Sequence, residues 1–449
     1  MLRMMVFNNK EGEMMQKIVS LAKRRGFVYQ GSEIYGGLAG TYDYGPLGEA
    51  MRQNIMASWR EKFIKTRRDM YPLSASILMN QKVWQATGHV DHFSDPLVEC
   101  KKCKRRFRAD QLEVLPPEGK CPECAGEFGE VRQFNMMLET KVGAVEDSSA
   151  TSYLRPETAQ GIFVNFKNVV DSMQPKIPFG IAQIGKAFRN EITPRDFIFR
   201  LRELEQMEIE YFVDPEDWKK YFEYWKDEML EWMEEIGLDM NKVHDIEIGD
   251  GDRAHYSMRT VDFEFDYPFG QKELFGLAYR GDYDLSRHSE SSGEKLEYRF
   301  QDEDGVKTFV PHVIEPTFGL DRTILALLVS AYREDGEGED TRVFLSFDPK
   351  IAPYKIAVSP LLKNKPELVT KSEEIYAILK NEFKDVVFDD NGNIGKRYRR
   401  QDEIGTPFCV VVDFDTLEKD DMVSVRFRDN GSQERVKIAD LIEFFKGKF

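Results

Sequence analysis

Charged side chains are concentrated between residues 187 and 212, in a pattern that predicts two neighbouring strands. Arg189 and Glu191 would share a face of the first strand, because side chains alternate along an extended chain. The same alternation places five side chains of the second strand on one face: Arg200, Arg202, Leu204, Gln206 and Glu208. So many charges would be costly in an apolar core, whereas they suit a cleft that binds a charged ligand. Taken alone, Arg189 and Glu191 could also be an ordinary cross-strand ion pair.

A further arginine, Arg322, lies at the start of an apolar run. Residues 315–322 read Glu-Pro-Thr-Phe-Gly-Leu-Asp-Arg and lead into the apolar residues 323–332. That run is the longest of its kind but falls well short of the ~18 residues that a membrane span needs, so it predicts a buried helix. Gly319 fits the tight start of such a helix.

Four of the five cysteines form two Cys-x-x-Cys pairs, Cys100 with Cys103 and Cys121 with Cys124. This spacing is typical of a zinc ribbon, in which two tight turns present four thiolates to a tetrahedral Zn²⁺. Since cysteine fills all four positions, the site would be closed and structural. A redox or disulfide pair is the alternative, which a cytosolic chain disfavours. Cys409 lies in an apolar run and fits a buried strand.

The elements that must position these groups begin with helices near the N-terminus. Residues 1–14 read as a loose extension, and an amphipathic helix then ends near Gly26. A second helix is predicted over 46–66, followed by a strand over 72–79. Its apolar side chains recur every fourth residue: Leu47, Met51, Ile55, Trp59 and Phe63. Such a stripe indicates a core helix or a dimer interface.

The rest of the chain divides into three parts. A zinc ribbon is predicted as an insertion over 97–134, and strands and helices alternate from there to about 333. The aromatic stripe over 217–237 indicates core packing, not a cofactor site. The acidic residues 334–340 predict a linker. Residues 353–449 then predict a separate α/β domain, with strands over 354–358, 408–413 and 422–427.

The net charge of −16 argues against nonspecific binding of nucleic acid over the whole surface. Local basic runs at 101–108 and 396–400 could still contact phosphates, although a solvated face explains each run as well. The N-terminus lacks the features of a signal peptide, so we expect a cytoplasmic protein without membrane contact.

The two arginine segments resemble motifs 2 and 3 of the class II aminoacyl-tRNA synthetases. Motif 2 is matched by Phe-Arg-x-Glu at 188–191, a loop, and the arginine-rich residues 200–208; motif 3 is matched by residues 315–322. Residues 45–79 are similar to motif 1, the dimer-forming element. The glycyl branch of the family is indicated by residues 42–46, 87–89, 107–110, 155–160, 206–210 and 397–407.

The resemblance implies an α+β fold with an antiparallel catalytic sheet flanked by helices. A zinc-ribbon insertion would interrupt it, and a mixed α/β anticodon-binding domain would follow. The implied boundaries are an extension (1–14), a catalytic domain in two parts (15–96 and 135–340), the ribbon (97–134) and the anticodon-binding domain (341–449). It also implies ATP-dependent ligation of glycine to tRNA(Gly) through a glycyl-adenylate, by a homodimer.

The catalytic residues implied by the resemblance are Arg189, Arg322 and Glu315. Arg189 would clamp the α-phosphate, and Arg322 would hold the outer phosphates while packing over adenine. Carboxylates, Glu315 first, would hold Mg²⁺. The implied ATP-binding set is Arg189, Asn190, Glu191, Phe199, Arg200, Leu201, Arg202, Glu203, Leu204, Glu273, Leu274, Gly319, Leu320, Asp321 and Arg322.

Glycine would be recognised by its ammonium, since it has no side chain. The resemblance implies Glu157, Glu208 and Glu315 as partners of the ammonium, with Arg108 contacting the substrate from the other side. Three carboxylates in one pocket repel one another and favour a positively charged ligand. The implied glycine-binding set is Arg108, Glu157, Leu204, Glu205, Gln206, Met207, Glu208, Glu315, Pro316, Thr317, Phe318 and Gly319.

Two positions depart from the family pattern. Leu204 stands where an aromatic side chain stacks on adenine, which predicts modestly weaker ATP binding. Thr317 replaces a serine and adds a methyl group to the glycine pocket. His89 is expected at a structural or pocket-wall position, because the reaction needs no histidine base.

Three other functions fit parts of the sequence. A synthetase of the same subclass could use proline, threonine or histidine. A synthetase-like protein without catalysis could bind RNA, but it would be expected to lack one of the two motif arginines. A zinc-ribbon nucleic-acid binder would leave most of the chain unexplained.

Overall fold

A computed structural model describes residues 9–112, 118–144, 150–251, 253–254, 256–302, 305–336, 338 and 341–449. The α-helices are α1 (Asn9–Arg25), α2 (Pro46–Arg60), α3 (Gln81–Ala86), α4 (His89–His92), α5 (Ala159–Phe163), α6 (Phe166–Met173), α7 (Trp218–Glu235), α8 (Tyr283–Ser292), α9 (Leu320–Ala331), α10 (Pro366–Phe383), α11 (Ile394–Glu403) and α12 (Leu441–Lys446).

The strands before residue 200 are β1 (Val28–Gln30), β2 (Tyr42–Tyr44), β3 (Met70–Pro72), β4 (Ser94–Glu99), β5 (Arg106–Arg108), β6 (Arg132–Asn135), β7 (Leu138–Lys141), β8 (Thr151–Leu154) and β9 (Phe179–Phe188). The next are β10 (Glu203–Val213), β11 (Val243–Glu247), β12 (Arg259–Tyr267), β13 (Gly270–Gly281), β14 (Tyr298–Asp302), β15 (Gly305–Phe309), β16 (His312–Gly319), β17 (Tyr332–Asp335) and β18 (Arg342–Leu345). The last are β19 (Ile356–Pro360), β20 (Val386–Phe388), β21 (Phe408–Val412), β22 (Met422–Phe427) and β23 (Gln433–Lys437).

A seven-stranded sheet with the order β11-β12-β13-β16-β10-β9-β3 forms the centre of the larger part of the chain. Its pairs are antiparallel except β3 with β9, which is parallel. Helices α2, α7 and α9 contact the sheet or one another and contribute to its core. The predicted antiparallel catalytic sheet flanked by helices is confirmed.

Helix α2 buries the predicted apolar stripe. Pro46 occupies its first turn, where a missing N–H is tolerated, and the helix continues into a π-helix over Glu61–Lys65. Met51, Ile55, Trp59 and Phe63 are all buried in the core of the same chain. The helix predicted over 46–66 is therefore confirmed, and its stripe is occupied by intrachain packing.

The strand predicted over 72–79 is wrong, because β3 ends at Pro72. Beyond it, side chains take the backbone groups that a neighbouring strand would otherwise bind. Gln183 Oε1 accepts from the Ala75 N–H at 3.0 Å, and Arg155 Nη1 donates to the Ala75 carbonyl at 2.9 Å. The chain therefore leaves the sheet after Pro72.

The predicted hairpin is shorter than the alternation indicated. Strand β9 ends at Phe188 and β10 begins at Glu203, so residues 189–202 form a connecting loop. The loop expected after Glu191 contains Asp196 and Phe197, whose φ values of 62° and 58° are typical of turns, and it is longer than expected at both ends. The prediction that the four charged residues of this segment lie on strands is wrong; they are Arg189, Glu191, Arg200 and Arg202.

Two further modules follow the predicted organisation. A three-stranded sheet, β5-β4-β6, carries the cysteine-rich insertion. The C-terminal module is a mixed five-stranded sheet with the order β20-β19-β21-β22-β23, in which β19 runs parallel to β20 and β21. The strands predicted there are confirmed, and Cys409 is buried in β21 as expected.

Two expected irregular segments are partly regular. Helix α1 begins at Asn9, so residues 9–14 of the predicted extension are helical, whereas residues 1–8 lie outside the described residues. Strand β17 pairs with β18, so the predicted linker 334–340 belongs in part to a hairpin. Residues 337, 339 and 340 of that segment lie outside the described residues. The domain boundaries stay predictions.

Candidate functional site

A cleft of about 320 Å³ lies over the middle strands of the seven-stranded sheet. Loop 189–202 covers one side, and β10, β12, β13 and β16 supply most of the remaining wall. Most of the residues that the sequence predicted line it: Glu157, Arg189, Glu191, Phe199, Arg200, Leu201, Leu204, Glu205, Gln206, Glu208, Glu273, Leu274, Glu315, Thr317, Gly319, Asp321 and Arg322.

Arg322 is held at one end of the cleft by Glu273 on β13. Its Nη1 donates to the Glu273 carbonyl at 2.9 Å and lies 3.0 Å from Oε2 of the same residue. The guanidinium also lies 4.4 Å from the centre of the Phe199 ring. The charge of Arg322 lowers the pKa of Glu273 although burial opposes this. This end therefore combines a fixed positive charge with an aromatic face.

Arg189 brings a second guanidinium into the cleft. Its Nε donates to the Pro156 carbonyl at 3.0 Å, and the group lies 5.5 Å from the centre of the Phe93 ring. Glu191, two residues on, is buried, and burial raises the pKa of its carboxyl group while Arg200 and Arg189 oppose the shift. The loop thus brings Arg189, Arg200 and Glu191 to the cleft despite its irregular backbone.

A cluster of carboxylates forms the opposite end of the cleft. The Glu208 carboxylate accepts from the Thr158 hydroxyl, and from the Thr317 hydroxyl at 3.1 Å. One oxygen each of Glu208, Glu210 and Glu315 lies within 4.8 Å of the others. We call Glu157, Glu208, Glu210 and Glu315 the carboxylate cluster.

One buried guanidinium, that of Arg280, faces the carboxylate cluster. Its Nη1 donates to Glu315 Oε1 at 2.8 Å, and its Nε and Nη2 donate to the two oxygens of Asp284 at 2.7 and 2.8 Å. The Tyr256 ring covers it, with its centre 3.7 Å away. Glu315, which the resemblance implied as a magnesium ligand, is therefore paired with the guanidinium of Arg280.

The carboxylates of this cluster differ in the direction in which their pKa values are shifted. Burial raises the pKa of Glu315 to about 8; the Arg280 charge opposes this, and the charges of Glu208 and Glu157 add to it. Burial alone would raise the pKa of Glu157, but His89 and Arg280 hold it below its usual range. Burial and the Glu157 charge raise the pKa of Glu208. The cluster is thus short of positive charge, which favours a cationic ligand.

Some predicted residues lie away from the cleft wall. They are Arg108, Asn190, Arg202, Glu203, Met207, Pro316, Phe318 and Leu320. Met207 and Phe318 are paired across β10 and β16 and are buried on the opposite sheet face, since neighbouring side chains alternate. Arg202 donates to the carbonyl of Ala39, which lies outside the cleft, and to the backbone carbonyl of Glu191.

The structure does not bring Arg108 to the carboxylate cluster. Its guanidinium lies 2.8 Å from Asp95 and 2.7 Å from Asp110, in the cysteine-rich module. Burial alone would lower the pKa of Arg108, but Asp110, Asp95 and Glu191 raise it. The expected contact of Arg108 with the glycine end therefore has no counterpart in this structure.

Several residues that line the cleft or contact its lining were not predicted from the sequence. Arg280 and Asp284 come from β13 and α8, far from the two arginine motifs in the chain. A lone charge in the apolar residues 274–280 was the sequence feature that could have indicated Arg280. Residues 248–262 carried no comparable pattern, although they contribute Ile248, Arg253, Ala254, Tyr256, Thr260 and Asp262 to the wall.

His89 lies behind the cleft wall, as expected for a structural position. It is buried, its Nδ1 lies 2.7 Å from the Thr87 hydroxyl, and its Nε2 lies 3.2 Å from Glu157. It therefore supports a carboxylate of the cluster.

The four predicted zinc ligands come together at one end of the three-stranded sheet. The sulfurs of Cys100 and Cys124 are 3.6 Å apart, and those of Cys103 and Cys121 are 3.7 Å apart. Tetrahedral coordination at ~2.3 Å gives sulfurs separated by about 3.8 Å. The four thiols therefore fit a closed, structural Zn²⁺ site.

The basic residues of α11 divide into two groups. Arg397 is buried and donates to the carbonyls of Asp390 and Gly392 at 2.9 and 2.8 Å, and Arg400 pairs with Asp389. Lys396 and Arg399 are exposed. Only part of this predicted basic run is therefore exposed on the surface. Among the described residues, no helix has the length and apolarity that a membrane crossing needs.

Comparisons with known proteins identify the two parts of the fold. The profile of the tRNA synthetase class II core domain (G, H, P, S and T) matches residues 144–331, and that of the anticodon binding domain matches residues 355–448. The chain is similar to a prolyl-tRNA synthetase from Cryptosporidium parvum solved with halofuginone and AMPPNP. The TM-score is 0.66 at 16% identity, over 96% of this chain and 74% of that one.

Curated relatives match over nearly the whole length. The chain is 48% identical to the glycine--tRNA ligase of Treponema denticola, over 96% of each protein. It is also 48% identical to the glycine--tRNA ligase of Clostridium acetobutylicum, over 98% of this chain and 99% of the relative.

Proposed function

The chain belongs to the glycine--tRNA ligases, a family of class II aminoacyl-tRNA synthetases, and we propose that its cleft carries the chemistry of this family. The enzyme ligates glycine to tRNA at the expense of ATP. We propose that the ligation passes through a glycyl-adenylate. The observation that carries the proposal is the placement of charged groups along β13. Arg322 is bound by Glu273 near the start of this strand, where the charge of Arg189 also acts on Glu273. Glu315 is bound by Arg280 near the end of the strand, where the charges of Glu208 and Glu157 also act on Glu315.

Activation needs the glycine carboxylate to attack the α-phosphorus while pyrophosphate leaves. Little proton transfer is involved, so positioning and charge stabilisation carry the catalysis. Arg189 clamps the α-phosphate, and Arg322 holds the outer phosphates with its other face toward adenine. Both guanidiniums are fixed by backbone carbonyls, which keeps them oriented before ATP binds.

The glycine ammonium binds among Glu157, Glu208 and Glu315. A bound ammonium supplies the positive charge that this cluster lacks, and Thr317 and Thr158 hold Glu208 in place. Larger amino acids are rejected by the packed wall of the pocket. A steric clash can discriminate by more than the ~1–3 kcal/mol that one methylene contributes in a roomy pocket.

Class II synthetases use ATP with Mg²⁺. Asp262 and Glu273 lie on the neighbouring strands β12 and β13 and line the cleft near Arg322. Burial and the charges of Glu273 and Glu264 raise the pKa of Asp262 to about 7. Because a divalent cation would relieve this repulsion, these oxygens fit Mg²⁺. When bound, it would neutralise charge on the leaving pyrophosphate.

The zinc ribbon supports the catalytic loop. The Thr193 hydroxyl donates to the Arg106 carbonyl at 3.3 Å, and Arg195 donates to Gln111 at 3.0 Å. Just after the ribbon, the Met136 carbonyl accepts from the Asn190 N–H at 2.8 Å. A structural Zn²⁺ held by the four cysteines would therefore fix loop 189–202 from outside.

We propose a cytoplasmic homodimer that binds tRNA(Gly). The family profile for anticodon binding covers the C-terminal module.

Residues 31–41 present large apolar side chains to solvent, with Ile34 90% and Tyr35 88% exposed. Such exposure is unusual for a monomer and suits an interface with a second copy.

Glycine-dependent exchange of pyrophosphate into ATP tests the proposal. Arg189→Ala and Arg322→Ala should each lower the exchange rate by about 10²- to 10³-fold, because each removes a charge that stabilises the transition state. Arg259→Ala is the matched control, since this arginine pairs with Glu247 outside the cleft. Exchange with another amino acid but not with glycine would refute the assignment of the pocket.

A further inference from the structure

Gln160 is fully buried on α5, and its side-chain amide joins three other polar side chains. Nε2 donates to Oε1 of Glu157 at 3.0 Å and to Oδ1 of Asp284 at 2.8 Å. Oε1 lies 2.9 Å from Nε2 of His288. An amide has two N–H donors and one carbonyl, and both donors here face carboxylates. The carbonyl must therefore accept from His288, so that imidazole carries a proton on Nε2.

These contacts connect the two ends of the carboxylate cluster. Gln160 links Glu157 to Asp284, Asp284 binds the Arg280 guanidinium, and Arg280 donates to Glu315. The other oxygen of Glu157 lies 3.2 Å from His89. Each oxygen of Glu157 thus has its own nitrogen partner, and its orientation is fixed through Gln160.

Resting on the proposed function, we propose that Gln160 is a positioning residue that sets the affinity of the pocket for the ammonium group of the amino-acid substrate. Only a neutral amide can donate to two carboxylates while accepting from an imidazole. A glutamate of the same shape would add a negative charge between Glu157 and Asp284. A methionine of similar size would leave both without this donor.

Two substitutions separate positioning from general stability. In tRNA-independent pyrophosphate exchange, Gln160→Met and Gln160→Glu should raise the KM for glycine about 10- to 100-fold, since hydrogen bonds to buried charges are lost. The KM for ATP and the kcat at saturating glycine should stay within about twofold, because the arginine end is untouched. Competitive inhibition by ethanolamine, which has the ammonium but no carboxylate, should weaken by the same factor as glycine.

His288→Phe supplies a second, milder variant that leaves Gln160 in place. It removes the donor to Gln160 and should raise the KM for glycine about 3- to 10-fold. In the double variant with Gln160→Met the effects should be less than additive, because both act on one network. If the Gln160 variants do not fold, the glycine KM of His288→Phe decides: a rise supports the proposal, and an unchanged value overturns it.

Gln401→Met is the matched control. Gln401 is also buried, and its amide donates to Asp389 at 2.9 Å and accepts from the Thr406 hydroxyl, but it lies in the C-terminal module. Its loss should lower the melting temperature and leave the KM for glycine unchanged. Equal rises in the KM for glycine and ATP in the Gln160 variants, or a lower kcat with an unchanged glycine KM, would overturn the proposal. Absence of glycine-dependent exchange in the unsubstituted protein would instead refute the proposed function.

Discussion

The Arg280 guanidinium donates to the Glu315 carboxylate at 2.8 Å, and both side chains are buried. The two residues come from adjacent strands of the central sheet, β13 and β16. A buried carboxylate with one fixed cation partner is oriented but not neutralised in its surroundings, because Glu208 and Glu210 lie close to it. Arg280 supplies one positive charge beside several carboxylates, and a cationic ligand would supply the rest.

Replacing Arg280 by methionine should destabilise the protein and remove activity. The change leaves Glu315 and Asp284 buried without their cation, which typically costs about 3–5 kcal/mol. We expect the free energy of unfolding in urea to fall by this amount, with loss of glycine-dependent exchange. Arg259→Met, whose arginine is partly exposed, should cost about 0–1 kcal/mol. Equal losses in both variants would contradict the role given to Arg280.

Glycine binding should release a proton near neutral pH. The pKa of Glu315 is about 8 in the free protein, and a bound ammonium would lower it, so protonated Glu315 must ionise when glycine binds. The KM for glycine should rise as the pH falls from 8.5 to 6.5, by at most about tenfold per unit. Calorimetry of glycine binding at pH 7 in buffers of different ionisation enthalpy should detect up to about one proton released. Buffer-independent heats would rule this out.

The raised pKa of Glu315 also makes the free energy of unfolding depend on pH. Folding raises the pKa of Glu315 above its unfolded value, so the folded state binds more protons between about pH 4 and pH 8. Ionisation of Glu315 therefore lowers the free energy of unfolding above pH 8, and this loss disappears as the pH falls. Glu315→Gln should remove this part of the pH dependence of unfolding.

Leu204→Phe should preserve or improve ATP binding and leave the requirement for glycine intact. Leu204 lines the cleft, and an aromatic ring there could stack on adenine, which is worth about 1 kcal/mol by analogy with aromatic pairs. The KM for ATP should stay the same or fall by up to about fivefold. A clear loss of ATP binding would refute the placement of adenine beside this residue.

Removing one ribbon cysteine should release the metal and weaken ATP use. Cys121→Ser leaves three thiolates, and since zinc binding and folding are coupled in such modules, residues 94–135 should exchange amide hydrogens faster. Loop 189–202 then loses its outer support, and kcat/KM for ATP should fall about 10- to 100-fold. Cys409→Ala should retain the metal, because this thiol is buried in the C-terminal sheet. Retained zinc in Cys121→Ser would exclude the four-cysteine site.

Ile34→Asp should weaken self-association. A charge at an apolar contact is left desolvated, so the dissociation constant of the dimer should rise about 10- to 100-fold, measured by sedimentation equilibrium. Val306→Asp is the control, since Val306 is 67% exposed on the separate hairpin β14–β15. An unchanged dissociation constant for Ile34→Asp would place the interface elsewhere.

Local patterns in the sequence predicted the elements well but not all of their ends. The apolar stripe of α2 and the buried strand around Cys409 follow from period and composition, and both are confirmed. Alternation failed at 189–191 and 199–202, on either side of the expected loop, because charged side chains at alternate positions do not by themselves show where strand pairing ends. The strand predicted after Pro72 is absent because the side chains of Gln183 and Arg155 hydrogen-bond to the backbone of Ala75. A sequence pattern does not show these distant partners.

The site was predicted where single motifs carry it and missed where distant segments meet. Arg189 and Arg322 are each marked by a local motif, and the structure brings both to one cleft. Arg280 acts through Glu315 and Asp284, and no spacing in the chain indicates that one guanidinium joins a residue of β16 to a residue of α8. Arg108 was placed by resemblance, but its neighbours Asp95 and Asp110 hold it in the ribbon.

The contacts between the ribbon and loop 189–202 restrict how this protein can change over evolution. Two of the contacts join the Thr193 hydroxyl to the Arg106 carbonyl and the Arg195 guanidinium to the Gln111 side chain. A descendant with a shorter insertion would leave these groups of the loop without hydrogen-bond partners. It would need compensating substitutions in the catalytic segment at the same time, so the two segments are expected to be inherited and modified as one unit.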